Sequence, residues 1–203
     1  MAAAIANPPR GLPLTGKLRI AVRLTAMVAW LLTCIPFHYL WRLGLRRPGS
    51  PPRPWPRRFL GGVCWIVGAR VRVEGRRAHQ GAFLLANHVS WIDILALSGA
   101  SGTAFVAHDG LAGVPLLRWL CAMNDTVFVA RHDRASVHRQ VEQVRAAISE
   151  GGALTIFPEG TTSDGTGLLP FKSALLSAFD PPPAGVAIQP VLLDYGAEAA
   201  SIA

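Results

Sequence analysis

AFLLANHVSWIDILAL, residues 82–97, joins one short apolar run to another through a polar junction. The first five letters have the length and apolar character of a buried strand, and Ile94 to Leu97 continue with helical spacing. A strand that turns directly into a helix is the repeating piece of an α/β domain. Asn87, His88, Ser90 and Asp93 therefore fall at a strand end, where loops are exposed yet well held. Such junctions carry sites, and they also carry ordinary helix caps, for which Ser90 is suited.

The same texture runs on towards the C-terminus. TAFVA (103–107), TVFVA (126–130), ALTIF (153–157) and VAIQPVLL (186–193) are further strand candidates, and VRVEG (71–75) alternates like an edge strand. Between them, SVHRQVEQVRAAISEGG (136–152) places Val137, Val141, Val144 and Ile148 on one helical face, with Gly151 as its stop. The expected fold is α/β, with a mostly parallel or mixed central sheet flanked by helices. Ligands of such sheets bind at the strand ends. That singles out three loops: NHVSWID (87–93), ARHDR (130–134) and FPEGTTSDG (157–165).

Towards the N-terminus the chain changes character. Residues 1–80 hold 14 of the 20 Lys and Arg against one acid, Glu74, so this part carries +13 and the remainder −5. Leu24 to Leu40 is an uninterrupted apolar or neutral run of 17 residues, a marginal transmembrane length whose far end is weakened by Pro36 and His38. An interfacial placement fits equally, and Trp30, Tyr39 and Trp41 are the amphipathic aromatics either would use. A cleaved signal peptide is not expected, because the charged leader is long and no small-x-small site comes after it. RRPGSPPRPWPRR (46–58) is a basic proline-rich linker, and FLGGVCWIVGA (59–69) fits a half-buried second helix too short to span.

Residues 1–68 are thus expected to form a membrane-anchoring helical segment with its linker, and 69–203 the second domain. With a hydrophobic content of 51% and a mean hydropathy of +0.33, this basic apolar half points to an anionic bilayer surface. Nucleic acid is not the expected partner, since no helix-turn-helix, zinc-finger or RNP-type pattern accompanies the charge. If the first helix spans, Arg42, Arg46, Arg47, Arg53, Arg57 and Arg58 outnumber Arg10, Lys17 and Arg19, which puts the chain beyond that helix in the cytoplasm. Cys34, Cys64 and Cys121 are scattered and odd in number, which suits a reducing compartment and not a disulfide framework.

His88 and Asp93 can meet across one tight turn. A carboxylate that accepts from one imidazole nitrogen fixes the tautomer and frees the other nitrogen to take a proton; the same spacing also serves a purely structural loop. There is no G-x-S-x-G elbow, no H-E-x-x-H or Cys/His cluster, and no G-K-[ST] after the glycine-rich stretch. No metal site is expected. A base without a nucleophile of its own suggests activation of a hydroxyl on a second substrate. Glu159, Gly160, Thr161 and Thr162 leave a strand end, where hydroxyls and amides suit an anionic or polyol group, or simply a turn. Arg131 comes after another strand and can bind phosphate or carboxylate, or remain solvated.

With these blocks in order, the chain resembles the PlsC-type glycerolipid acyltransferases, the lysophosphatidic acid acyltransferase family, over about Arg70 to Tyr195. NHVSWID matches its N-H-x-x-x-x-D, VFVAR (127–131) its apolar-x-Arg block, FPEGT (157–161) is kept in full, and IQPV (188–191) matches its late strand. The resemblance implies that His88 is the general base towards a lysolipid hydroxyl, with Asp93 orienting it. The hydroxyl then attacks the thioester of acyl-CoA or acyl carrier protein without an acyl-enzyme. It further implies that Arg131, Glu159, Gly160 and Thr161 hold the head group, with Asn87, Ser90 and Pro158 as loop support.

No metal or cofactor is implied beyond the acyl donor, and the implied location is the cytoplasmic face of a bacterial inner membrane. The leading acceptor is 1-acylglycerol-3-phosphate, giving phosphatidic acid. The chain departs from the commoner pattern at His108, Arg118, Ala130 and Thr162, the last standing where an arginine is usual. FPEGTTSDG with LPFKSAL (169–175) is similar to the branch containing lyso-ornithine lipid acyltransferases, where Lys172 would supply the cation that Thr162 does not. Members usually continue beyond the IQPV strand, so a C-terminal segment is expected to be missing or naturally short. Outside this class, a membrane-bound thioesterase or lipid hydrolase would use the same base on water, and a non-catalytic membrane protein would use neither.

Overall fold

The computed structural model describes residues 14–44, 54–76, 81–108, 113–129, 153–172, 176 and 186–196. Among these the elements are, in chain order, α1 (Leu14–Arg42), α2 (Pro54–Val67), β1 (Phe83–Ala86), α3 (Ile92–Ser101), β2 (Ala104–His108), α4 (Pro115–Met123), β3 (Val127–Val129), β4 (Leu154–Ile156) and β5 (Ile188–Val191).

The five strands form one sheet in the order β3-β2-β4-β1-β5, and every pairing is parallel. Phe83 stands opposite Leu154 on one side and Ile188 on the other, so β1 lies between the two strands that come latest among the described residues. The inner strands β1 and β4 are covered on both faces, which is why FLLA and LTI read as buried runs, whereas β5 alternates exposed and half-buried residues. Phe83, Ala104, Val127, Leu154 and Ile156 pack together in one cluster, and Ala86, Leu97, Phe105 and Phe157 in another. Two buried hydroxyls, Thr103 and Thr155, satisfy each other at 2.8 Å. Pro190 is tolerated because β5 is the outer strand, where a missing N–H costs least.

VRVEG does not form a strand: Val71 and Val73 are half exposed and Arg72 pairs with Glu74 at 3.1 Å. Alternation reports two unlike faces and says nothing of a partner strand. The helix expected over 136–152 and the loop 130–134 lie outside the described residues.

α1 is longer than the apolar run suggested. It has 29 residues, about 44 Å at 1.5 Å per residue, and continues through Pro36. Its mean hydropathy reaches 1.8 over 18 residues of which 6% are buried, so it is long and apolar enough to cross a membrane. α2 begins inside the proline-rich linker, with Pro54 and Pro56 in its first turn, where a missing N–H costs nothing.

α2 ties α1 to the sheet domain. Gly62 leaves room for the Trp30 indole, whose Nε1–H donates to the Phe59 carbonyl at 3.1 Å. On the other side Gly61 and Gly99 bring the backbones of α2 and α3 into direct contact. Arg57 then donates to the last carbonyls of α3, Gly99 and Ala100, at 3.2 and 3.0 Å. Val63 and Cys64 of α2 pack on Leu95 and Ala96 of α3, with Met27 and Trp30 of α1 against them. At its far end α1 reaches the α4–β3 turn through an Arg42–Asp125 ion pair and a Trp119-to-Tyr39 hydrogen bond of 3.3 Å.

Candidate active site

Because all five strands run the same way, their C-terminal ends share one edge. β1 delivers residues 87–93 to the middle of that edge, β4 delivers 157–163 on one side, and β5 delivers 192–195 on the other. Two of the three loops singled out in the sequence are thereby brought together.

The junction after β1 is built around Asp93, which is fully buried in the first turn of α3. Trp91, at the N-cap, provides no side-chain cap. The Asp93 carboxylate turns back instead, and its Oδ2 accepts the backbone N–H of Val89 at 2.7 Å and of Ser90 at 3.0 Å. A carboxylate at a helix start also meets the positive end of the helix dipole. The same Oδ2 lies 2.8 Å from His88 Nδ1. An ionised carboxylate can only accept, so Nδ1 carries the proton and Nε2 keeps its lone pair.

On the opposite side the Tyr195 hydroxyl donates to Asp93 Oδ1. Burial alone would push the Asp93 carboxyl up, but the bonds from His88, Tyr195 and the two amides outweigh it and hold its pKa below the ordinary carboxylate value. Burial and the adjacent Asp93 push the Tyr195 phenol far above its usual range, so it stays a donor.

The imidazole is held by its face as well as its edge. It stacks on Phe157 at 4.0 Å between centroids and 15°, and Phe157 lies nearly parallel to Phe105 at 5.9 Å. The side chain is 16% exposed. Its backbone is clamped by the FPEGTTS loop: the His88 N–H donates to Glu159 Oε1 at 3.0 Å, and the His88 carbonyl accepts from Ser163 N–H at 2.7 Å and Ser163 Oγ at 3.1 Å.

Glu159 is fully buried, and its other oxygen accepts the Leu169 N–H at 2.9 Å. Both oxygens are thus spent on backbone, which places Glu159 behind His88 as a brace. Gly160 adopts φ +69°, in the left-handed region that favours glycine, just after the Pro158–Glu159 turn. Thr161 and Thr162 are exposed on the same loop. Lys172 is exposed too, with its backbone N–H on the Pro158 carbonyl at 2.8 Å. Asn87 reaches across to β5: its Oδ1 accepts the Leu193 N–H at 2.7 Å and its Nδ2 donates to the Leu193 carbonyl at 3.0 Å.

His88, Asp93, Glu159, Gly160, Thr161 and Thr162 are therefore gathered on one edge. Arg131 lies outside the described residues. Tyr195 and Ser163 were missed by sequence reasoning, and Phe157 was read only as the start of a block. No spacing rule would have found Tyr195, since it meets Asp93 across 102 positions. Among the described residues no group of three or more His, Cys, Asp or Glu side chains is arranged to hold a metal ion. Ser90, two residues beyond His88, is buried and its Oγ faces the Ile92 amide at 3.5 Å. The arrangement can take a proton at Nε2 and stabilise the resulting imidazolium through Asp93.

Comparison with known proteins bears on what that chemistry is used for. Residues 70–194 match the family model described as Acyltransferase. A lyso-ornithine lipid O-acyltransferase of Brucella abortus is 36% identical over 89% of this chain and 68% of its own length. A 1-acyl-sn-glycerol-3-phosphate acyltransferase of Neisseria meningitidis is 39% identical over 64% of this chain and 50% of its own length. The crystal structure of PlsC from Thermotoga maritima shares the fold with a TM-score of 0.55, at 22% identity, over 86% of this chain and 83% of that one.

Proposed function

The chain belongs to the Acyltransferase family, and on that premise we propose that it moves an acyl group from a thioester donor to the free hydroxyl of a lysolipid with His88 as general base. Relatives named as lysolipid O-acyltransferases make it an acyltransferase of membrane-lipid synthesis. The observation that carries the rest is the 2.8 Å contact between His88 Nδ1 and an Asp93 carboxylate fixed by three further donors.

In this reading Nε2 takes the proton of the lysolipid hydroxyl as its oxygen attacks the thioester carbonyl carbon. The C–S bond breaks, the thiolate leaves, and the imidazolium returns the proton to it, giving ester and thiol. Asp93 stabilises the imidazolium between these events. Glu159 and Ser163 hold the His88 backbone, so that the ring cannot drift from its acceptor. The donor, acyl-CoA or acyl carrier protein, is a substrate, and the scheme uses no metal or other cofactor.

Two acceptors have support. 1-Acyl-sn-glycerol-3-phosphate, giving phosphatidic acid, is named in the Neisseria relative, and lyso-ornithine lipid in the Brucella relative, whose match runs over more of this chain. Thr162, where the commoner pattern has arginine, removes a cation that a phosphate would use. For location we propose the cytoplasmic face of a bacterial inner membrane. The exposed apolar surface of α1, with Leu18, Leu24, Val28 and Leu32 outward, and the arginines beyond its C-terminal end support that placement and contact with anionic lipid.

The test is acyl transfer in detergent micelles from labelled acyl-CoA, and separately from acyl carrier protein, with both acceptors offered and His88→Ala as control. Diacyl product that falls roughly 10²- to 10⁴-fold in the variant is expected. Full turnover by His88→Ala overturns the assignment of the base, and fatty acid released without acceptor makes the protein a hydrolase.

A further inference from the structure

Five parallel strands give the sheet two edges, and their loops differ in chemistry. At the C-terminal edge, which holds the candidate site, each described connection carries exposed apolar side chains. Trp91 comes after β1, Val114 and Leu116 after β2, Leu168 and Phe171 after β4, and Leu192 after β5. All six are between 49% and 77% exposed. At the opposite edge the described connections 81–82, 102–103 and 124–126 present no large exposed apolar side chain, and Asp125 stands there paired with Arg42. Single exposed apolar residues are ordinary on a soluble surface, but a gathering of them on one side marks a contact.

The connection after β4 is held so that it presents this character firmly. GTGLLPF, residues 165–171, carries no charge. Its backbone is tied down: the Leu169 N–H donates to Glu159 Oε2 at 2.9 Å, and the Lys172 N–H donates to the Pro158 carbonyl at 2.8 Å. The other oxygen of Glu159 accepts the His88 N–H, so the apolar loop and the base are fixed to one buried carboxylate.

α1 projects from the same edge. Arg57, near the start of α2, bonds to the last carbonyls of α3, so α2 runs back along α3 and ends level with the site. A Cβ on Gly68 would come within 2.7 Å of the Arg23 guanidinium, while Phe37 stacks on Trp55 at 4.8 Å at the other end of α2. α1 is therefore antiparallel to α2, and its residues 14–22 pass beyond the end of α2 by about 13 Å. Leu14, Leu18, Ile20 and Val22 are exposed on that projecting part, with Lys17 and Arg19 among them, whose long stems let the charges reach lipid phosphates.

We infer that the C-terminal edge of the sheet is a second lipid contact, separate from α1: the rim formed by Trp91, Leu168, Phe171 and Leu192 seats on the bilayer surface, so that a lysolipid reaches His88 without leaving the membrane. The inference rests on the lysolipid acyltransferase reading and adds the surface through which the acceptor arrives. Its occupant is lipid, because the rim faces the way the apolar part of α1 projects; a protein lying on it would have to displace the bilayer that this helix enters. Leu and Phe suit shallow insertion, and Trp the level of the head groups.

Two measurements on the full chain in vesicles of phosphatidylcholine and phosphatidylglycerol test this. The first is quenching of tryptophan emission by brominated lipid in Leu168→Trp, set against the wild type and against Ala122→Trp, an exposed position in the last turn of α4 at the opposite edge. The indole introduced at position 168 should be quenched beyond the wild-type level, and the one at position 122 should not. Equal quenching of the two, or none at 168, overturns the inference, including the case in which the rim is covered by a second copy of the chain.

The second is acyl transfer by Leu168→Ser/Phe171→Ser, whose side chains touch none of the catalytic groups. For a long-chain lysolipid held in the vesicles the apparent KM should rise roughly 10- to 10²-fold with kcat nearly unchanged. For a short-chain lysolipid dissolved as monomer it should stay level. An unchanged KM on vesicles, or equal losses on the two acceptors, overturns the inference. Quenching needs no turnover, so failure of the acyltransferase reading and failure of the lipid contact are told apart.

Discussion

Asp93→Asn separates the charge of this side chain from its hydrogen bonds. Oδ2 faces the N–H groups of Val89 and Ser90 at 2.7 and 3.0 Å, and neither donor can reverse. In the variant the amide oxygen therefore stays on that side and still accepts from His88 Nδ1. The new NH₂ faces the Tyr195 hydroxyl, which accepts as readily as it donates. The imidazole keeps its tautomer, and what is lost is one negative charge. With charge centres about 4 Å apart and an effective dielectric constant of about 20, that charge is worth up to about 4 kcal/mol to a forming imidazolium. The 16% exposure of the ring lets water replace part of it. A loss of about 3 kcal/mol corresponds to roughly 10²-fold in kcat.

Asp93→Ala is a different perturbation. It strands two buried backbone donors at about 1–3 kcal/mol each, so it should also destabilise the fold by about 2–6 kcal/mol. Initial rates of acyl transfer and thermal unfolding of the same micellar preparations measure both. A wild-type rate in Asp93→Asn would show that the charge is idle. An Asn variant as unstable as the Ala variant would refute the allocation of hydrogen bonds.

Tyr195→Phe removes one of the donors that hold the Asp93 pKa down, and should lower kcat about fivefold, the worth of about 1 kcal/mol, with little change in KM. Because the folded-state pKa of Asp93 is depressed, its contribution to stability is present above the unfolded value near about pH 4 and is lost as pH falls through the folded value. The variant should begin to unfold at a less acidic pH than the wild type, and coincident acid-unfolding curves would count against the bond. Gly99→Ala would set a Cβ 2.7 Å from the Gly61 Cα, a backbone atom that cannot swing aside. Overpacking of about 1–3 kcal/mol outweighs a helix-propensity gain of about 1 kcal/mol. A fall in Tm of up to roughly 8 °C is expected, and a rise would show that α2 and α3 are not in contact there.

The strands β1 to β4 were legible because each is a short apolar run bounded by a change of texture, and β5 because VAIQPVLL is mostly apolar although its residues alternate between exposed and half-buried at the sheet edge. VRVEG misled because its alternation arises from an exposed ion pair and two half-exposed valines, not from pairing. The extent of α1 was hidden by Lys17, Arg19 and Arg23, charges that bound the apolar run at Leu24 without ending the helix, and Pro36 removes a single hydrogen bond from its 29 residues and does not end it either. Of the site, His88 and Asp93 could be read because five residues and one turn separate them. Glu159 could be located but not oriented, since nothing in FPEGT says that its carboxylate turns inwards to the His88 and Leu169 amides. Tyr195 was invisible because strand order, not local spacing, brings β5 beside β1.

That strand order also bears on how the enzyme comes into being. Among the described strands, the one at the heart of the candidate site is flanked by the two that the ribosome makes latest, and Asn87 and Asp93 wait for Leu193 and Tyr195, 106 and 102 positions later. While translation is still in the middle of the chain, α1 has emerged and can meet lipid, but His88 has neither its Glu159 brace nor a fully bonded Asp93. A half-made polypeptide therefore lacks the assembled His88–Asp93 junction, which is complete only after β5 has docked. Contacts of such long sequence separation form slowly, so the junction is among the later parts of the fold to be completed.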